Sequence, residues 1–432
     1  MRIERLNREN KNALKEMLQK RSASHFEDYE KTVMGILEDV KTRKDQALFE
    51  YTEKFDHAVV TKETVRVTEA EIAEAMAQVP PEFIGVLERA SENIREFHEK
   101  QKRISWIDMK EDGVMLGQKF TPLEVVGVYV PGGKAAYPSS VLMNIIPAKV
   151  AGVQRIVMAT PPGKDGKVNA RTLAAAKIAG VDEVYKAGGA QAIAALAYGT
   201  ESIPKADKIC GPGNIFVALA KRAVYGQVSI DSVAGPSEIL VLADETADPL
   251  FAAADLLSQA EHDEMASAIM ITTSPELAQK VSEEAERMAG ELERSEIIRK
   301  SLEQFGMIFV ADTMEDAVEA ANEIASEHLE ILTKDPYDIM TKIRNAGAIF
   351  LGPYSSEPLG DYYAGPNHIL PTNGTARFFS PLNVDDFVKK SSIISYSYEA
   401  LEKAHKDIIF FAKQEGLTAH ANSIQVRFPK EQ

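Results

Sequence analysis

Gln259 and His262 stand three residues apart at the end of an apolar helical run, so an amide oxygen and an imidazole project from one face and can share a ligand. A histidine with an oxygen donor at that spacing makes half of a metal site; the plain alternative is a helix end with His262 and Asp263 in solvent. Glu327 and His328 are adjacent between a helical and a strand-like run. A carboxylate and an imidazole together supply the two proton acceptors that a two-stage oxidation needs, whereas a helix-end histidine meeting the terminal carbonyls is the commoner arrangement. Asp361, His368, Glu415 and His420 also carry metal-binding or proton-transfer chemistry, but spacing alone does not join them. Cys210 is the one cysteine, which excludes an internal disulfide and a thiolate metal site. Its place at the end of an apolar strand marks a buried thiol rather than a nucleophile.

These groups need elements to hold them. From Val125 short apolar runs alternate with helical ones: Val125–Val130 then Ser139–Ala151, Arg155–Thr160 then Ala170–Ala179, Glu183–Ala187 then Gln191–Tyr198, and Lys208–Cys210 then Ile215–Tyr225. The rhythm resumes with Glu238–Leu242 then Leu250–Glu261, Ala268–Thr273 then Glu276–Ala289, Met307–Val310 then Glu315–Ser326, and Glu330–Thr333 then Tyr337–Asn345. Such alternation predicts parallel sheets covered by helices, and two similar halves suggest a duplication. Residues 1 to about 105 read as helical, with apolar positions such as Val33, Ile36, Leu37 and Val40 on one face. From about Leu382 the chain turns polar and helical through Phe411.

Glycine and proline gather where strands hand over to helices, in Val130-Pro-Gly-Gly133, Ala187-Gly-Gly-Ala190, Cys210-Gly-Pro-Gly-Asn214, Ala234-Gly-Pro-Ser237 and the stretch from Gly360 to His368. In open α/β sheets ligands bind beyond the carboxyl ends of the strands, which is where these loops fall. Bare backbone N–H groups beside helix N-termini suit a pyrophosphate, although each loop also serves as a tight turn. No Gly-x-Gly-x-x-Gly is present, so the ordinary dinucleotide fingerprint fails.

The 432 residues are enough for two to four domains, with 45% hydrophobic and 26% charged residues as in ordinary globular chains. The net charge of −16 repels phosphate backbones and anionic lipid, which argues against nucleic-acid or membrane partners. The opening residues lack an apolar signal core and no run of about 18 apolar residues occurs, so a cytoplasmic location is expected.

Taken together, Tyr129-Val-Pro-Gly-Gly133, Gly188-Gly-Ala-Gln-Ala192, Gly211-Pro-Gly-Asn214, Ala234-Gly-Pro-Ser-Glu238, Gln259-Ala-Glu-His262, Ser326-Glu-His-Leu329, Gly365-Pro-Asn-His368 and Glu415-Gly-Leu-Thr-Ala-His420 resemble the histidinol dehydrogenase family, essentially from end to end. The resemblance implies oxidation of L-histidinol through L-histidinal to L-histidine, the last two steps of histidine biosynthesis, with two NAD⁺ used in turn. It implies one zinc per subunit, held by Gln259, His262, Asp361 and His420, and a homodimer in which Glu415 and His420 come from the partner. His328 would act as base for the alcohol and again for the hydrated aldehyde, and Glu327 would activate water. The substrate would meet Ser237, Gln259, His262, His328, Asp361, Glu415 and His420, and NAD⁺ would meet Tyr129, Gln191 and Asn214.

For the fold, the resemblance implies an α/β protein of two incomplete Rossmann-like parallel-sheet domains with small helical N- and C-terminal segments. The expected division is 1–21 as an N-terminal helical segment, 22–128 with 238–381 as the domain carrying most of the zinc and catalytic site, 129–237 as the NAD-binding domain, and 382–432 as the segment that completes the dimer. Rival readings are a related zinc- and NAD-dependent dehydrogenase of another primary alcohol, a zinc hydrolase that turns over without NAD, and a nucleotide-binding module with no redox chemistry.

Overall fold

Strands buried on both faces should read as continuous apolar runs, and the runs named above do form parallel sheets. The structure, a computed structural model, describes residues 1–6, 13–16, 27–132 and 137–428, so Gly133 and most of residues 7–26 lie outside it. The strands are β1 (Arg2–Leu6), β2 (Trp106–Met109), β3 (Met115–Pro122), β4 (Val125–Tyr129), β5 (Arg155–Thr160), β6 (Glu183–Lys186), β7 (Lys208–Cys210), β8 (Ser229–Ile230), β9 (Glu238–Ala243), β10 (Ser267–Thr272), β11 (Met307–Ala311), β12 (His328–Leu332), β13 (Ala348–Leu351) and β14 (Val388–Ser395).

One parallel sheet has the order β6-β5-β4-β7-β8, the other β1-β11-β10-β9-β12-β13. Numbered within its own half, each sheet runs 3-2-1-4-5, with β1 added at the edge of the second. Both halves therefore share the doubly wound order, one strand short of the usual six, and both reverse direction between their first and fourth strands. This common order supports the duplication that the two βα rhythms suggest.

The chain divides into two units, residues 1–101 with 123–387, and residues 102–122 with 388–432. The first holds both parallel sheets. Its N-terminal helices were expected to group with 238–381, yet they pack on the five-stranded sheet: Val33, Ile36, Leu37 and Val40 share a core with Tyr129, Ile193 and Val217, and Leu87, Ala90 and Ile94 share one with Ile146 and Ile156. The expected boundary at 128/129 also falls inside β4, and Leu382, Val384 and Phe387 join the five-stranded sheet's core rather than the C-terminal segment. The sequence of such helices does not assign them to a sheet, because an apolar stripe does not name the sheet it covers.

At the N-terminus, Arg2–Leu6 is a strand rather than a helix, pairing with β11. In the second unit β2, β3 and β14 form an antiparallel sheet before the helices Tyr398–Gln414 and Thr418–Gln425, so its start is extended where a helix was expected. Among the described residues no helix is long and apolar enough to cross a membrane.

The loop after β7 shows how the chain fixes a site. Gly211 has φ +112°, and a Cβ there would lie 2.0 Å from the Tyr129 carbonyl oxygen, so only glycine fits. Its N–H donates to Asp231 Oδ2 at 2.8 Å and its carbonyl accepts from Lys221 Nζ at 2.9 Å. Lys221 and Asp231 form a buried ion pair whose rupture from one side would cost about 3–5 kcal/mol. The pair thereby clamps the loop that presents Asn214.

Candidate functional site

A cavity of about 1410 Å³ in the first unit is lined by Tyr129, Gln191, Asn214, Ser237, Gln259, His262, Glu327, His328, Asp361 and His368, among others. It meets the carboxyl ends of β4 and β7 in one sheet, as expected. In the other sheet it meets the amino ends of β9 and β12, where Ser237 and the Glu327-His328 pair sit. The carboxyl-end rule therefore holds for one half only, although both contributions come from the strand pair where the winding reverses.

Glu327 and His328 are organised by the backbone of one residue, Glu238. The Glu238 N–H donates to Glu327 Oε2 at 2.8 Å, and His328 Nδ1 lies 3.0 Å from the Glu238 carbonyl oxygen. Nδ1 must carry the proton in that contact, which leaves Nε2 with its lone pair. Nε2 is buried, has no hydrogen-bond partner, and lies 3.9 Å from both Glu357 Oε1 and Asp361 Oδ1. Burial pushes the imidazole down to about 4, so it stays neutral, while burial pushes the Glu327 carboxyl well above the ordinary carboxylate range. His328 begins β12, two residues earlier than the apolar pattern suggested, and both side chains reach the cavity because Glu327 precedes the pleat.

Gln259 lies in the last turn of the helix Pro249–Ala260, and His262 follows in a turn closed by its N–H to the Gln259 carbonyl at 3.1 Å. The Gln259 side chain is 1% exposed, yet its Oε1 has no partner. A buried amide oxygen left unpaired is costly unless something binds it. Asp361 lies on the short helix Glu357–Tyr362, not in a loop, and ligand atoms of His262, Glu357 and Asp361 lie within 4.8 Å of one another. One imidazole, carboxylate oxygens and an orphaned amide oxygen form a donor set that fits zinc.

Glu357 went unnoticed in the sequence. It is 2% exposed, accepts from Ser258 Oγ at 3.1 Å, and its N–H is held by Glu330 Oε1 at 2.7 Å. Burial, with the Asp361 carboxylate beside it, pushes its carboxyl up to about 8, and burial lifts Asp361 to about 6. The spacing of four residues between them was a readable signal, hidden because Pro358 and Gly360 look like loop residues. Proline is tolerated in a first helical turn, and a Cβ at Gly360 would lie 2.7 Å from the Phe350 ring. His368 braces the same helix: its Nδ1 is 3.1 Å from the Asp361 carbonyl and its Nε2 3.5 Å from Ser140 Oγ.

On the β4 side, the Tyr129 hydroxyl accepts from the Gly189 N–H at 3.1 Å, and burial pushes its pKa up to about 12. Gln191 is 1% exposed with an unpaired Nε2. Asn214 caps the helix Ile215–Val224 through Oδ1, which leaves its NH₂ for a ligand. Glu415 and His420 belong to the second unit, Glu415 closing the helix Tyr398–Gln414 and His420 on the helix Thr418–Gln425, and both are exposed.

Cys210 is fully buried, and burial pushes its thiol far above the ordinary range, so no thiolate forms there. Cys210→Ala is expected to keep kcat within twofold and to cost on the order of 1 kcal/mol of stability, checked by steady-state assay and thermal melting. A dead but folded variant would return the thiol to the mechanism.

The histidinol dehydrogenase family model matches residues 19–428. The histidinol dehydrogenase of Halalkalibacterium halodurans is 59% identical over 92% of this chain and 94% of its own, and that of Caldanaerobacter subterraneus subsp. tengcongensis 59% over 95% of each. The crystal structure of histidinol dehydrogenase from Elizabethkingia anophelis superposes with a TM-score of 0.94 at 40% identity, covering 99% of this chain and 98% of that one. With the match running through both sheets and the shared cavity, the chain belongs to the histidinol dehydrogenase family.

Proposed function

We propose that this protein oxidises L-histidinol through L-histidinal to L-histidine in the cytoplasm, with NAD⁺ as oxidant in both steps and one zinc in the site. The observation that carries the reading is the His328 imidazole, anchored at Nδ1, neutral, and with Nε2 free beside the Gln259, His262 and Asp361 donors. Those three residues hold the zinc, with His420 from a second copy of the chain as fourth ligand, and Glu415 of that copy meets the substrate. Bound zinc supplies a Lewis-acidic centre that fixes the nitrogen donors of histidinol and so orients it. NAD⁺, held by Tyr129, Gln191 and Asn214, supplies the hydride acceptor.

The chain's own groups move the protons. His328 Nε2 takes the hydroxyl proton as the alcohol carbon loses hydride, giving the aldehyde. Glu327 takes a proton from water as the water oxygen adds to the aldehyde carbon, and protonated His328 returns its proton to the former carbonyl oxygen, forming the hydrate and freeing Nε2 again. His328 then removes the hydrate's hydroxyl proton as the second hydride leaves, giving the carboxylate. Ser237, which precedes β9 and lines the cavity, meets the substrate's polar end in this reading.

NADH formed per L-histidinol consumed tests the reading, with protein as purified, after chelation, and after zinc is restored. Two NADH per histidinol, lost on chelation and regained with zinc, is the expected result. One NADH with free aldehyde would remove the second step, and turnover without NADH would overturn the redox assignment in favour of hydrolysis.

A further inference from the structure

In a doubly wound dinucleotide site an acidic residue at the end of the second strand binds the ribose hydroxyls of the adenosine half. The second strand of this half, β5, ends at Thr160 and runs on as Pro161-Pro162-Gly163; the first acid after it, Asp165, is five residues past the strand end and accepts from the Lys167 N–H within its own turn at 3.1 Å. The vacancy is filled from outside the sheet. Asp56, last residue of the helix Asp45–Asp56, lines the cavity beside the ends of β5 and β6. The Gly188 N–H donates to its carboxyl, and a Cβ at Gly188 would lie 3.0 Å from both carboxyl oxygens and 2.7 Å from Pro161. A bare backbone at 188 thus lets the carboxyl seat between the two strand ends.

Two buried polar atoms at this place lack partners. Asp56 Oδ2 is an acceptor with none, and Gln191 Nε2, on a side chain 1% exposed that also lines the cavity, is a donor with none. Unpaired buried groups of opposite kind call for a ligand that donates and accepts side by side. A phosphate is the wrong occupant. The first two N–H groups at the start of the helix Gly189–Tyr198 are already taken, Gly188 by Asp56 and Gly189 by the Tyr129 hydroxyl. A carboxyl at the same helix end answers its dipole and repels a second anion. The Ala187-Gly-Gly-Ala190 loop therefore does not serve as the pyrophosphate cradle that its glycines suggested.

Vicinal hydroxyls satisfy both orphaned atoms. We infer that Asp56 and Gln191 bind the adenosine ribose of NAD⁺, Asp56 accepting from the 2′-hydroxyl and thereby rejecting a 2′-phosphate. This rests on NAD⁺ being the oxidant, and it makes Asp56, a residue outside the βα units, the determinant that separates NAD⁺ from NADP⁺.

Steady-state kinetics of Asp56→Asn with saturating histidinol test it. The expected result is a KM for NAD⁺ raised about tenfold or more with kcat within twofold, and a ratio of kcat/KM for NADP⁺ over NAD⁺ raised at least tenfold. Competition by 5′-AMP and by adenosine 2′,5′-bisphosphate on the unsubstituted enzyme gives a readout that needs no variant. There 5′-AMP should compete with NAD⁺ at least tenfold better than the bisphosphate. Unchanged KM and cofactor ratio in a folded Asp56→Asn, or equal inhibition by the two nucleotides, would overturn the assignment. Weakened competition by nicotinamide mononucleotide with that by 5′-AMP unchanged would also overturn it, moving Asp56 to the other half of the cofactor. An unsubstituted protein that reduces neither cofactor would instead overturn the oxidant reading itself.

Discussion

His262→Asn and Asp361→Ala are expected to strip zinc and activity together. Residues that merely support a ligand cost about 10–100-fold in metal affinity when removed, so loss of a ligand should exceed about 100-fold and leave the purified variant largely metal-free. The case rests on the cluster of His262, Glu357 and Asp361 ligand atoms within 4.8 Å and on the orphaned Gln259 Oε1 that faces the same cavity. Zinc per subunit by atomic emission, alongside kcat, is the measurement. A variant with a full complement of zinc and undiminished turnover would sink the ligand assignment. Glu357→Gln separates ligand from support: a brace for Asp361 predicts the smaller loss, partly restored by excess zinc, while a ligand predicts the larger.

Much of this site could be read before any coordinates, and the reasons are local. Gln259 and His262 declared themselves by helical spacing, and the turn after Ala260 preserves the face they share. Of the parallel strands, β4 to β7 and β9 to β12 announced themselves because nearly all their residues are buried, whereas the edge strands β8 and β13, which are largely half-buried, went unread. Where that rule broke, so did the reading. β12 opens with His328, whose polarity delayed the apparent start of the strand to Glu330 and hid its first two positions. β1 escaped because Arg2–Leu6 is a charged edge strand whose partner β11 lies about 300 residues away, a distance that no local pattern spans. Glu357 escaped because Pro358 and Gly360 imitate a loop, and Asp56 because its chemistry arises only where its helix meets Gly188. What joins Asp361 to His262, or Asp56 to Gln191, is tertiary, and spacing along the chain does not encode it.

Glu327→Gln and His328→Gln should separate the two oxidations. His328 serves both, so its loss is expected to slow each by about 10²–10⁴-fold, the usual worth of a positioned general base. Glu327 serves only hydration, so Glu327→Gln should slow oxidation of histidinal by a similar factor while leaving that of histidinol within about tenfold. The pH profiles sharpen the distinction. The His328 pKa is lowered to about 4, so its base form persists as pH falls and is lost only near that value. Glu327 is shifted upward, so its base form is lost at higher pH than for an ordinary glutamate, and the step that needs it fails first on acidification. Aldehyde oxidation should therefore fall on the acid side before alcohol oxidation does, and that early limb should vanish from the residual activity of Glu327→Gln. Assays begun from each substrate across the pH range read this directly. Equal slowing of both steps by Glu327→Gln, with coincident acid limbs in the unsubstituted enzyme, would leave His328 as the only base and return Glu327 to its hydrogen bond with Glu238 as a purely structural group.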